Sequence, residues 1–364
     1  MKTYRDITTI QATAILISTI IGVGVLPLPL FAVRAAETGA PMATLVAMLV
    51  AFAGLFLVTK LGMRFPQVSF VRLSELIVGR WIAAVGSASL IVFFSVLTAL
   101  AAREFGTVVV TSVLKNTPIE VTVVVMLLLA LLSARADINA FAYMHLFYLP
   151  IVLFPAIVIV VLSLKNSNIL YLLPVFGNER PRFLDGVSTI TALFQGYFVM
   201  SLVIPHMQRP RKAMLASVFG IAIAGGLYLL TVVAVVAVFG PMETQNLLWP
   251  TLELAKTTAL PANVLERLDA AFLSIWVTAV FTTLMSSYYL AVNGLKELFR
   301  LHDHKLFTFF LLPIIFAIAM APSNVLHLYE IIKIVGRIGL LLTIVYPGLL
   351  LAVAAIRGIR GKEA

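Results

Sequence analysis

The 364-residue chain is 61% hydrophobic and only 12% charged, with a mean hydropathy of +1.07, whereas a soluble domain keeps about a quarter of its residues charged. Its apolar blocks are long enough to cross a bilayer, which takes roughly 20 residues as helix, so the composition points to an integral membrane protein. The net charge of +10 sits mostly in short segments between those blocks, where it reads as a topology signal rather than nucleic-acid affinity, and the lack of cysteine excludes disulfides, thiol nucleophiles and thiolate metal sites.

The chain opens with Lys2, Arg5 and Asp6 ahead of a hydrophobic run without a small-residue cleavage site. That pattern predicts a first spanning helix rather than a cleaved signal peptide. Ten spans are predicted, at 8–33, 40–63, 82–113, 118–134, 142–164, 186–206, 215–239, 264–294, 306–321 and 331–356. The fourth and ninth are short enough to be partly re-entrant. Between the second and third, Phe65–Arg80 mixes apolar and basic residues and reads as an amphipathic helix along the membrane surface.

With the N-terminus inside, the inner segments hold 16 of the 26 Lys and Arg residues and the outer segments 9, Arg103 lying within the third span. The bias places both termini in the cytoplasm, and an even number of spans agrees with it. A polar stretch then divides the chain into a five-span repeat (1–165), an extracytoplasmic connector (166–185) and a second five-span repeat with a short basic tail (186–364). An odd span number per half makes the second half enter from the opposite side, which is the arithmetic of an inverted repeat.

The first span carries Gly22, Gly24, Pro27 and Pro29 within eight positions. Glycine costs about 1 kcal/mol and proline about 3 inside a helix, and lipid cannot replace the donor that proline removes. An unwound segment here exposes N–H groups to a carboxylate and carbonyls to an ammonium or cation. A packing reading competes: a glycine contact between helices followed by a proline kink. The sixth span opens the second half with Thr191-Ala-Leu-Phe194-Gln195-Gly196-Tyr197. Repeat symmetry sets Gly196 opposite the Gly22–Gly24 break, while close packing alone also accounts for it.

Arg103 and Glu104 lie in the outer half of the third span, where charges are costly unless paired or facing water. Adjacent residues point about 100° apart on a helix, so each needs its own partner. The two readings are an ion path through an outer vestibule and a structural ion pair. In the eighth span, Thr282, Thr283, Ser286 and Ser287 fall on more than one face, lining a pocket or satisfying their own helix carbonyls. The five histidines, at 145, 206, 302, 304 and 327, sit at span ends with no metal spacing, His206 and the His302–His304 cluster reading as interfacial. No Walker lysine, Ser-His-Asp set or paired carboxylates stand out, so neither an enzyme nor a cofactor or metal site is expected.

The order Gly22-Val-Gly24-Val-Leu-Pro-Leu-Pro29, Asn116-Thr-Pro-Ile119, Leu173-Pro-Val175, Leu248-Trp-Pro-Thr251, and Phe281-Thr-Thr283 through Ala291-Val-Asn-Gly-Leu-Lys296 resembles the permease-like B subunit of the spore germinant receptors. The likeness runs nearly end to end, and the Trp-Pro-Thr and Asn-Gly-Leu-Lys segments are its most specific parts. It implies the ten-helix inverted-repeat fold of the amino acid–polyamine–organocation superfamily, with broken first and sixth helices. It also implies a midplane site for a small-molecule germinant (amino acid, sugar or nucleoside), and a complex with an A subunit and a lipoprotein C subunit in the spore inner membrane, where germination starts with ion release. Carried onto this chain, the ligand site comprises the backbone around Gly22, Val23 and Gly24, Phe93 and Leu97, the stretch Phe194, Gln195, Gly196 and Tyr197, and Thr283; the adjacent Ile21 and Thr282 complete the candidate set. Phe93 stands where some relatives have tyrosine, and a lost polar contact of that kind changes specificity by orders of magnitude.

Three functions follow. The first is a nutrient-sensing receptor subunit that passes a conformational change to partners. The second is a proton- or sodium-coupled amino-acid transporter, disfavoured because the fifth span holds no lysine or carboxylate. The third is an ion-conducting subunit with Arg103 and Glu104 beside its pore.

Overall fold

The computed structural model describes residues 6–177, 183–258 and 268–359. Lys2, Arg5, Arg180, Arg182, Arg267, Arg360 and Lys362, all used in the charge count, lie outside the described residues. Within them the chain is all-helical, apart from a single isolated bridge between Ile7 and Met207.

Helix α1 (Thr9–Ile20) starts at a capping box in which Thr8 and Gln11 each take the other's backbone N–H. It ends where the glycines begin. Residues Val23–Val25 form one tight turn, and α2 (Leu28–Ala36) restarts behind Pro27, with Pro29 in its first turn, where a missing N–H costs nothing. Glu37, at φ 48°, turns the chain into α3 (Ala40–Arg64). Next, α4 (Phe70–Val78) is amphipathic as expected, with Phe70 packed on Phe198 and Tyr346 beneath the bundle.

The long α5 (Arg80–Ser112) is followed by α6 (Ile119–Ala134), α7 (Ile138–Ser163) and α8 (Phe183–Ala192). The chain bends by 43° between α8 and the segment Gln195–His206, which contains the single turn α9 (Met200–Val203). Then come α10 (Ala213–Thr244), α11 (Pro250–Thr257), α12 (Leu268–Leu298), α13 (Lys305–Met320), α14 (Val325–Leu340) and α15 (Tyr346–Ile356). Helix α12 packs along α5, α10 along α3, and α1 is enclosed by α7, α10 and α12.

Among the described residues, six stretches are long and apolar enough to cross a membrane: 28–64, 80–112, 138–166, 210–244, 272–298 and 325–356. The bent pair around residue 193 makes a seventh, while α1, α6 and α13 are apolar but shorter. Length and composition thus give six or seven spans, where the sequence predicted ten. By this measure α2 and α3 count as one 37-residue stretch across the turn at Glu37, and α1, α6 and α13 are too short to count.

Candidate functional site

The break in the first span opens on a cavity of about 80 Å³, in a measure by which one water needs about 10–15 Å³. Its wall is drawn from four elements: Thr19, Ile20 and Gly22–Gly24 of the break, Phe94, Leu97, Ala101 and Glu104 of α5, Leu193, Gln195 and Gly196 of the bend, and Thr283 with Ser287 of α12. Residues Ile332–Gly336 of α14 close it. Of the residues singled out in the sequence, Gly22, Val23, Gly24, Leu97, Gln195, Gly196, Thr283 and Glu104 face this space.

The others stand behind the wall. Phe94 rather than Phe93 lines the cavity; Phe93 packs edge-on against it and lies against Gly339. Phe194 is sealed against Tyr228, and the Tyr197 hydroxyl donates to Thr343 at 3.1 Å. Ile21 faces a separate apolar cavity beside α7 and α11. Thr282 donates to Ser18 O at 2.9 Å, on the far side of α1.

The unwound backbone is largely satisfied from within. The Thr283 hydroxyl donates to Thr19 O (3.0 Å), the Tyr228 hydroxyl to Ile20 O (2.6 Å), and the Thr251 hydroxyl to Val25 O (2.7 Å). Three of the carbonyls that helix one gives up, those of Thr19, Ile20 and Val25, are therefore held by α12, α10 and α11. The N–H groups of Val23 and Gly24 find no acceptor among the described residues. Exposed N–H groups at a helix break suit a carboxylate.

The glycines are explained by close approach. A Cβ on Gly22 would stand 2.1 Å from Thr283 Oγ1, and one on Gly196 2.7 Å from Thr19 O. Gly196 therefore packs against the last turn of α1, just ahead of the break.

Arg103 and Glu104 part company. Arg103 donates to Pro322 O at 3.0 Å and turns away from the cavity. Among the described residues Glu104, 3% exposed, accepts a hydrogen bond only from the Tyr329 hydroxyl, at 3.4 Å. The structure brings the two together neither as an ion pair nor along one wall of this cavity.

His145 was read as one more residue at a span end. It is fully buried in the second turn of α7, with Nδ1 2.6 Å from Ser18 Oγ and Nε2 3.0 Å from Ser286 Oγ. Ser286 also meets Thr19 Oγ1 at 2.7 Å, and Ser18 meets Ala14 O at 2.6 Å. One assignment of hydrogens satisfies all five groups in a single direction: Thr19 to Ser286, Ser286 to His145, His145 to Ser18, and Ser18 to Ala14 O. The imidazole thus clamps α1, α7 and α12 together just before the break. Its partners are distant in sequence, and only the Ser18 and Ser286 hydroxyls facing into apolar spans hinted at it.

Two further spaces flank the cavity. Toward the α11 end, a vestibule of about 930 Å³ shares Phe31, Thr189 and Lys333 with it and holds Arg34, Glu37 and Glu330. There Asp185 ties α8 to α14 through Lys333 at 3.0 Å and through Arg337. Toward the α4 end, a chamber of about 100 Å³ is lined by Ser69, Ser87, Ser201 and Asn293, and Phe94 and Leu290 stand between it and the cavity.

Comparisons with known proteins agree with this architecture. The family described as "Spore germination protein" matches residues 6–327. The spore germination protein YndE of Bacillus subtilis (strain 168) is 28% identical over 359 residues, 98% of each chain. Spore germination protein B2 of the same strain is 26% identical over 83% of this chain and 82% of its own. Spore germination protein GerLB of Bacillus cereus is 29% identical over 84% and 83%. Among solved structures, Mhp1, a nucleobase-cation-symport-1 family transporter in a closed conformation with bromovinylhydantoin bound, superposes with a TM-score of 0.72. The match covers 96% of this chain and 79% of that one at 11% identity, a likeness of fold.

Proposed function

The chain belongs to the spore germination protein family, and from that premise we propose that it is the germinant-sensing membrane subunit of a spore germination receptor. It takes a small nutrient, an amino acid by preference, into the central cavity and passes the change to partner subunits that start germination and ion release. The observation that carries this reading is the cavity itself: it lies at the interrupted stretch of helix one and is lined by Val23 and Gly24, whose N–H groups have no acceptor among the described residues. The partners are an A subunit and a lipoprotein C subunit in the spore inner membrane, with both termini of this chain on the cytoplasmic side.

The spans number ten in this reading, arranged five plus five. A 37-residue helix is about 55 Å long at 1.5 Å per residue, nearly twice the roughly 30 Å hydrocarbon layer. The turn at Glu37 therefore divides 28–64 between the end of the first span and the whole of the second. The bent pair is the sixth span, and α6 and α13 cross as short helices.

Thermal stability of the detergent-purified chain tests the binding reading. A nutrient at 100 times its dissociation constant stabilises the folded state by about 2.7 kcal/mol. Leu97→Trp fills the cavity with an indole and is expected to abolish that stabilisation. A nutrient that protects Leu97→Trp as well as the parent chain would place the site elsewhere.

The likeness to a transporter fold favours a second reading, a proton- or sodium-coupled amino-acid transporter using the same cavity. Vesicles holding this chain alone separate the two. Concentrative uptake of a labelled amino acid supports transport, and binding without uptake supports sensing.

A further inference from the structure

In the expected arrangement, an amine at a helix break is held by freed carbonyls. Here the carbonyls of Thr19, Ile20 and Val25 already accept from Thr283, Tyr228 and Thr251. Two buried side-chain acceptors also line the cavity. Gln195 is 1% exposed, and its amide nitrogen donates to Gly336 O at 2.7 Å, while its Oε1 has no partner among the described residues. Flipping the amide would set two oxygens face to face, so Gly336 fixes Oε1 as the free atom. Glu104 is the second. A carboxylate has about four acceptor sites, and this one uses a single long contact, to Tyr329. Neighbouring cations are engaged elsewhere: Arg103 on Pro322 O, and Lys333 on Asp185. A carboxyl buried on a cavity wall without a counter-charge is a costly arrangement, and a ligand that brings the charge relieves the cost.

We propose that Glu104 receives the ammonium group of a primary-amine ligand, displacing the Tyr329 hydroxyl, with Gln195 Oε1 as a second acceptor in the same cavity. The assignment rests on the reading of the cavity as the nutrient site and narrows it to amines. It also gives the Trp-Pro-Thr segment a role. The Trp249 indole N–H donates to Tyr329 Oη at 2.9 Å, and Thr251, two residues on, holds Val25 O of the break. Tyr329 in turn packs edge-on against Phe31, whose ring lines both the cavity and the vestibule. An amine that takes Glu104 frees Tyr329, and the start of α11 is the first element beyond the cavity to lose a contact.

Amino acids and their 2-hydroxy-acid counterparts test this on the purified full-length chain, for example alanine against lactate and valine against 2-hydroxyisovalerate, with glucose and inosine alongside. Thermal stability and tryptophan emission are the readouts. At least one amino acid is expected to stabilise the chain while its hydroxy-acid twin does not. Glu104→Gln is expected to weaken that binding at least about 30-fold, the usual consequence of removing one partner of a buried charge pair. Glu104→Asp, which keeps the charge, should retain the preference for amines with reduced affinity. Tyr329→Phe removes the competitor and should bind as tightly as the parent or tighter. The amino acid should also shift tryptophan emission in the parent chain and not in Trp249→Phe.

A hydroxy acid, glucose or inosine binding as well as the best amino acid overturns the assignment, as does unchanged binding in Glu104→Gln. If those ligands still lose binding in Leu97→Trp, the cavity remains the nutrient site and only the amine assignment falls. Tyr329→Phe losing binding as fully as Glu104→Gln refutes the competition. If no probe stabilises the chain, both the assignment and the cavity reading fall.

Discussion

One methyl group separates the roles of the two glycines in the turn. A Cβ at Gly22 would meet Thr283 Oγ1 at 2.1 Å and Thr283 Cβ at 2.8 Å, atoms anchored by the bond to Thr19 O. At Gly24 the nearest atom is Leu193 Cδ2 at 3.1 Å, the free end of a flexible side chain. Gly22→Ala is therefore expected to destabilise the chain by about 1–3 kcal/mol, the usual cost of overpacking, and to abolish nutrient protection, whereas Gly24→Ala should cost less than about 1 kcal/mol and keep it. Denaturation of both variants in detergent, with and without amino acid, decides; equal losses would remove Thr283 as the reason for Gly22. This break was legible in the sequence because the cost of glycine and proline in a helix is local. The choice between Phe93 and Phe94 was not. One residue turns a helix by about 100°, and α5 is apolar on every side, so no polar face announces its phase. The fate of the freed carbonyls was hidden for another reason: their donors, Tyr228, Thr251 and Thr283, lie more than 200 residues away.

Helix α1 is too short to hold its place by its own hydrogen bonds, since isolated helices of about 12–15 residues or fewer are marginal. Its position is set by neighbouring elements, and the His145 clamp joins it to α7 and α12 at once. His145→Phe keeps an aromatic ring, somewhat larger than imidazole, and removes both bonds. The Ser18 hydroxyl retains Ala14 O, and that of Ser286 retains Thr282 O at 2.9 Å, so neither is stranded. With membrane-buried hydrogen bonds averaging about 0.6 kcal/mol each, the expected loss is about 1 kcal/mol in stability. A larger effect is expected on nutrient binding, because the break beside the clamp loses its fixed position. A His145→Phe chain that binds amino acids as well as the parent would reduce the clamp to ordinary packing. The elements themselves were read well where amphipathicity or turn residues marked them, as at α4 and the first-span break. The cross-links between elements were not, because a hydrogen bond between Ser18 and a histidine 127 residues later has no sequence period.

At the scale of the whole molecule, the proposed ten-span topology depends on the two helices least suited to crossing. Helices α6 and α13 have 16 residues each, about 24 Å at 1.5 Å per residue, short of the roughly 30 Å hydrocarbon core. Bilayer thinning accommodates such a deficit at fractions of a kcal/mol per Å, which is far less than the cost of leaving the backbone groups of a re-entrant loop unpaired in lipid. Both helices also present wide apolar surfaces, with Leu128, Leu129 and Leu132 exposed on α6 and Leu306, Phe309 and Phe310 on α13. These suit contact with lipid chains along the whole length. The chain has no cysteine, so single reporters work without background. Lys115→Cys and Asp137→Cys flank α6, and His302→Cys and Ala321→Cys flank α13, all at exposed positions. In intact cells, an impermeant maleimide is expected to reach the reporters at 115 and 321 and to miss those at 137 and 302, which should react only after permeabilisation. If both reporters around either helix reacted from the same side, that helix would not cross. One such failure leaves an odd number of spans, which sets the two termini on opposite sides of the membrane and removes the even division that an inverted repeat needs.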